Sequence, residues 1–177
     1  MTQHPLSQFS PLPGSEEKEP AKWRIGMKVV IVCVSVSHGN TARIAEVLAG
    51  VLGARVVSPD EIDPADLDSC DLVGFGSGIF GMDFHPRLRR FVEELPSKQR
   101  RKAFVFTTSG LPEPRFRRYT RRLARLLGRK GFEVAGTFSC RGFDTWLPFK
   151  LVGGIGKNRP GTADLEAARR FAEGLGG

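Results

Sequence analysis

Cysteine is scarce and scattered in this chain. Cys33, Cys70 and Cys140 form no C-x-x-C pair, which leaves no structural zinc framework and fits reduced thiols. None of the three begins a C-x5-R motif, so a phosphotyrosine-phosphatase type of site has no support. Long hydrophobic runs are missing too. The most apolar stretch, residues 29–36, already contains Ser35 and gives way to Ser37 and His38, far short of the ~20 apolar residues that cross a bilayer. The first residues carry Glu16, Glu17 and Glu19, with neither a basic start nor an apolar middle, so no secretory signal is expected and the reading is of a cytoplasmic protein. Acid is the minority charge. The 19 Asp and Glu against 27 Lys and Arg leave a net charge of +8, a field that attracts phosphate-rich or acidic partners.

What is present suffices for one folded domain. The chain has 177 residues, 40% hydrophobic and 26% charged, and folding at that length buries about 70% of the unfolded chain's surface. Residues 1–26 hold Pro5, Pro11, Pro13 and Pro20 without a periodic apolar pattern, and read as a flexible extension ahead of a domain over 27–177. From Lys28 onward short β-rich runs alternate with helical patterns, the signature of an α/β parallel sheet covered on both faces. Five strands are expected, over 28–36, 54–57, 71–76, 102–107 and 133–138. Ile44, Val47, Leu48, Val51 and Leu52 recur at helical spacing after the first strand, and Leu88, Phe91, Val92 and Leu95 after the third. Pro86 and Pro114 suit first-turn positions. The segment 59–70 is too polar for a full helix and is expected to be one short turn, and a last helix is expected over about 163–174.

The first strand runs into Ser35-Val36-Ser37-His38-Gly39-Asn40-Thr41, directly before a helix. Ligands of open parallel sheets bind beyond the carboxyl ends of the strands, where a helix start offers unpaired N–H groups and a partial positive charge. Hydroxyl donors and a permissive glycine suit a phosphate there, although Ser37 or Asn40 could equally serve only as a helix cap. This Ser-x-Ser-His-Gly-Asn-Thr motif, followed by x-x-Ile-Ala, resembles the phosphate loop of the flavodoxin-like proteins. Asp71-Leu-Val-Gly-Phe-Gly-Ser-Gly-Ile-Phe, Lys102-Ala-Phe-Val-Phe-Thr-Thr-Ser-Gly and Phe138-Ser-Cys-Arg-Gly-Phe-Asp-Thr-Trp resemble later loops of the same family, in order. The resemblance implies a doubly wound five-stranded sheet of order 2-1-3-4-5, the flavodoxin order, with flavin mononucleotide (FMN) at its switch point. It also implies that Ser35, Ser37, His38, Gly39, Asn40 and Thr41 surround the phosphate. The ring then falls to the glycine-rich loop of Gly76, Ser77, Gly78, Ile79 and Phe80, to Thr108, Ser109 and Gly110, and to Trp146 as a stacking aromatic. Gly76 to Gly81 also spells G-x-G-x-x-G, but no helix follows at once and no acid ends the next strand, so a dinucleotide fingerprint is set aside. Cys140, near this site, is read as a small buried thiol.

A second feature stands apart from these loops. Eight basic residues fall between Arg115 and Lys130 with no acid among them. Wound as a helix, the segment places Phe116, Tyr119, Leu123, Leu126 and Leu127 on a buried face and a ridge of arginines on another. The flavodoxin-like electron carriers are typically acidic, so this chain departs from them. The expected function is an FMN-binding protein that passes electrons between a reductase and an acceptor, with an acidic redox partner docking on Arg115, Arg118, Arg122 and Arg125. A flavin-dependent quinone-type reductase and a basic binding module without redox activity are the rival readings.

Overall fold

Six consecutive apolar residues, Val29–Val34, need cover on both sides, and a central parallel strand supplies it. In the computed structural model, which describes residues 26–36, 39–97, 99–110, 119–142 and 159–175, they form β1 and all six are buried. β2 (Arg55–Val57) and β3 (Leu72–Phe80) flank β1, both in parallel. β3 turns back through Gly81 and Met82 into a two-residue antiparallel strand, β4 (Asp83–Phe84). Beyond β3 the sheet continues in parallel with β5 (Lys102–Ser109) and β6 (Glu133–Arg141). The order is β2-β1-β3-β5-β6. With the small β4 set aside, the five parallel strands run 2-1-3-4-5 in chain order, the doubly wound arrangement that the resemblance implied.

Among the described residues four helices cover the sheet: α1 (Asn40–Leu52), α2 (Pro86–Glu94), α3 (Tyr119–Arg129) and α4 (Thr162–Gly174). The alternation of side chains along β1 sorts them into two layers. Val29, Ile31 and Cys33 join Ile44 and Leu48 of α1 and Ala168 and Ala172 of α4 on one face. Val30, Val32 and Val34 join Leu88 and Val92 of α2 and Leu123 and Leu127 of α3 on the other. The polar crossover between β2 and β3 makes two 3-10 turns, Pro59–Glu61 and Pro64–Ser69, with Asp63 accepting the Ala65 N–H at 2.8 Å. Among the described residues no helix is long and apolar enough to cross a membrane.

The structure departs from the sequence reading in β3. Residues 76–81, expected as a glycine-rich loop, continue the strand through Phe80 before the tight turn. Packing against β5 explains the first glycines. A Cβ on Gly74 would lie 2.4 Å from the Phe104 ring, and one on Gly76 2.1 Å from the Phe106 ring. The two phenylalanine rings therefore occupy the space that side chains on β3 would fill.

Candidate functional site

The carboxyl ends of β1, β3, β5 and β6 and the start of α1 converge at one edge of the sheet. Gly39 precedes α1 in the left-handed conformation, φ 67°, ψ 13°, and no side chain caps the helix from that position. A Cβ on Gly39 would meet nothing within 4 Å, so the glycine answers to its backbone angle and not to a close neighbour. The first turn contains no acidic residue, so the positive end of the helix has no carboxylate of its own. Ser35, at the end of β1, accepts the Ala42 N–H on its Oγ at 3.2 Å. It thus satisfies one helix-start donor from seven residues upstream, a cap that local pattern did not reveal. Ser37 and His38 lie outside the described residues, as does Trp146.

Thr41 and Thr108 share a hydroxyl–hydroxyl hydrogen bond of 2.8 Å in the interior, tying the start of α1 to the end of β5. Gly78 pairs with Thr108 across the sheet. A Cβ there would lie 3.8 Å from Thr41 Oγ1 and 3.1 Å from the Phe80 ring, so the missing side chain admits the close approach of that ring. Asn40, 8% exposed, sits against the end of β6, where a Cβ on Gly142 would lie 2.9 Å from its Nδ2. The Gly142 N–H donates to Ser109 O at 3.0 Å, and Arg141 donates to Gly110 O at 3.4 Å. Ser35, Asn40, Thr41, Gly78, Thr108, Ser109 and Gly110 are therefore brought together by the ends of β1, β3 and β5 and the start of α1.

Two of the other expected residues serve the fold on the opposite face of β3. Ser77 donates its hydroxyl to Gly78 O at 2.7 Å and accepts the His85 N–H at 3.0 Å, holding the return from the hairpin to α2. Ile79 packs on the α2–α3 layer. Phe80, by contrast, is 37% exposed and meets His85 edge-on at 5.1 Å between ring centroids. His85 in turn caps α2, its Nδ1 accepting the Arg87 N–H at 3.2 Å. Cys33 and Cys140 both have thiols pushed up to about 12 by burial, which suits packing and not nucleophilic chemistry.

A helix start behind a left-handed glycine, buried hydroxyls beside it and a partly exposed ring at the carboxyl edge of a parallel sheet define a mononucleotide-binding doubly wound domain. The family model described as a flavodoxin domain matches residues 31–140, and the chain belongs to that family. An uncharacterized protein of Methanocaldococcus jannaschii is 38% identical over 149 residues, which is 84% of this chain and 98% of that protein. Among solved structures, a flavodoxin from the domain Archaea superposes with a TM-score of 0.63 at 17% identity, covering 85% of this chain and 96% of that one. Oxidised flavodoxin 1 from Bacillus cereus gives 0.63 at 19%, covering 84% and 96%. The rubredoxin oxygen:oxidoreductase from Desulfovibrio gigas gives 0.63 at 20%, with 84% of this chain matching 35% of that larger one. Flavodoxin family members bind FMN, and the residues gathered here fit it: the α1 start with the hydroxyls of Ser35, Thr41 and Thr108 for the phosphate end, and the partly exposed Phe80 at the end of β3 for a planar ring.

Proposed function

We propose that this protein holds FMN noncovalently at the α1 start and the ends of β3 and β5, and carries electrons between a reductase and an acceptor. The observation that carries this reading is the convergence of Thr41, Gly78 and Thr108 at the N-terminus of α1. Ser35, Ser37, His38, Gly39, Asn40 and Thr41 would hold the phosphate through hydroxyls and backbone N–H groups, and no lysine is needed where backbone dipoles neutralise the anion. The backbone of 76–80 and of 108–110 would bound the ring, with Phe80 and Trp146 excluding water from it. FMN, when bound, supplies the redox chemistry, accepting and releasing one or two electrons. The chain's own contribution is positioning and electrostatics. Three unpaired cysteines, Cys33, Cys70 and Cys140, suit a reducing compartment such as the cytoplasm.

Titration of the purified chain with FMN tests the reading, through the flavin's absorption and fluorescence. One FMN taken up per chain is the expected result, and an unchanged flavin signal at saturating protein overturns it. Turnover of quinones by NAD(P)H without any added reductase would instead place the protein among flavin-dependent reductases.

A further inference from the structure

The turn between β3 and β4 is built against its own chemistry. Phe80 pairs with Asp83, so Gly81 and Met82 form a two-residue hairpin loop, with φ of 55° and 67°. Positive φ at both positions calls for Gly or Asn at each, and a methionine there is strained. Burial does not offset that strain, because Met82 is 42% exposed and Phe80 beside it 37%. An exposed apolar pair maintained at a cost to the fold has its use outside the fold.

The charge around this tip is mostly basic. Asp83 accepts Arg89 of α2 at 3.0 Å and Arg122 of α3 at 3.6 Å, which draws both helices to the base of the hairpin. α3 carries Arg121, Arg122, Arg125 and Arg129 and no acid. Arg121, Arg125 and Arg129 have no acidic partner among the described residues. The groove between α2 and α3 is lined by Arg89, Arg122 and Arg129 together with Leu126 and the acids Asp83 and Glu93.

We infer that the Phe80–Met82 tip and the arginines of α3 form one docking surface for an acidic redox protein, which would bring it against the exposed edge of the FMN site. The inference rests on the electron-carrier reading above. A nucleic acid fits less well, because the exposed apolar pair Phe80 and Met82 has no counterpart on a phosphate chain. An acidic protein surface with an apolar centre complements both parts. Phe80 belongs at once to the tip and to the candidate site, so a partner seated there is within reach of electron transfer.

A plant-type [2Fe–2S] ferredoxin serves as the acidic probe and cytochrome c as the basic one. Two reduced ferredoxins each lose one electron for every FMN carried to its two-electron-reduced form, with protons drawn from water. Stopped-flow reduction of the holoprotein by ferredoxin should slow by about tenfold between low and physiological salt, because exposed charges act on association and are screened over ~8 Å. The Arg122→Ala/Arg125→Ala/Arg129→Ala variant should show that slow rate already at low salt, with an unchanged flavin spectrum. Cytochrome c, reduced by the photoreduced holoprotein, should react faster as salt rises. Met82→Gly should raise Tm by about 2–4 °C while weakening ferredoxin binding about three- to tenfold. A salt-independent ferredoxin rate, ferredoxin binding unmoved by Met82→Gly, or tighter binding of duplex DNA than of ferredoxin overturns the inference. Calorimetric titration of ferredoxin into the apoprotein separates the two readings. Ferredoxin binding without FMN uptake defeats only the electron-carrier proposal, and FMN uptake without salt-sensitive ferredoxin binding defeats only the docking surface.

Discussion

A missing methyl group decides the packing at Gly76. Replacing it with alanine drives a Cβ to within 2.1 Å of the Phe106 ring, in a central strand whose backbone is hydrogen-bonded on both sides. Such overpacking costs about 1–3 kcal/mol or more. Urea unfolding of Gly76→Ala should show that loss, and Phe106→Leu in the same chain should recover much of it. Thr41 is the second sensitive residue, 2% exposed and bonded to Thr108. Thr41→Val leaves the Thr108 hydroxyl without this partner in the interior, so stability should fall by about 1–3 kcal/mol. FMN affinity should fall about tenfold or more while riboflavin, which lacks the phosphate, binds as before; equal loss for both ligands would place the effect in folding alone. The two perturbed thiols give a pH signature. Cys33 and Cys140 have folded-state values raised from 9.0 to about 12 by burial, so the folded state holds their protons longer than the unfolded chain does. Their contribution is fully present below about pH 9 and is lost as pH rises toward about 12. Native protein at pH 8 should resist a thiol reagent at both positions, and thermal scans above pH 9 should show a falling Tm.

At the scale of elements, α3 shows how far a helical period reaches. Tyr119, Leu123 and Leu127 are buried, Leu126 packs on the same layer, and Arg121, Arg122, Arg125 and Arg129 are exposed, as the 3.6-residue period requires. Arg115 and Arg118, the first members of the expected ridge, lie outside the described residues. Within them the ridge is less uniform than its sequence suggests. Arg122 is drawn to Asp83. Lys130 donates to Glu93 O at 2.6 Å and Leu95 O at 2.8 Å, placing a cation on the carbonyls that end α2. Lys130→Met should therefore destabilise the fold by about 1 kcal/mol, and amide exchange should rise first at the end of α2. Unchanged exchange there would mean that the lysine is merely a solvated charge.

The whole molecule is two helical layers on one sheet, with the candidate site at the edge where four strands end. The M. jannaschii relative is matched over 98% of its length by 149 residues of this chain, enough for the sheet and its helices. A chain begun at Met27 should accordingly fold and bind FMN with the affinity of the full chain, measured by flavin fluorescence. A folded truncation that no longer bound FMN would assign part of the site to residues 1–26.

Local pattern was sufficient for much of this. Alternating apolar runs and helical periods determined the α/β class, the positions of the five parallel strands and the buried face of α3, because each depends only on neighbours in the chain. The run Ser35 to Thr41 marked the turn from β1 into α1 for the same reason. The sequence could not show that Thr41 meets Thr108, 67 residues away, or that Gly74 and Gly76 exist to admit two β5 rings. Those pairings follow from which strands become neighbours. The turn at Gly81 and Met82 lacks the Asn-Gly or Asp-Gly chemistry that signals a hairpin, so β4 was not visible, nor was Asp83 as the anchor of Arg89 and Arg122. Only the folded sheet decided these, because a strained turn and a cross-helix ion pair form where distant segments already hold them in place.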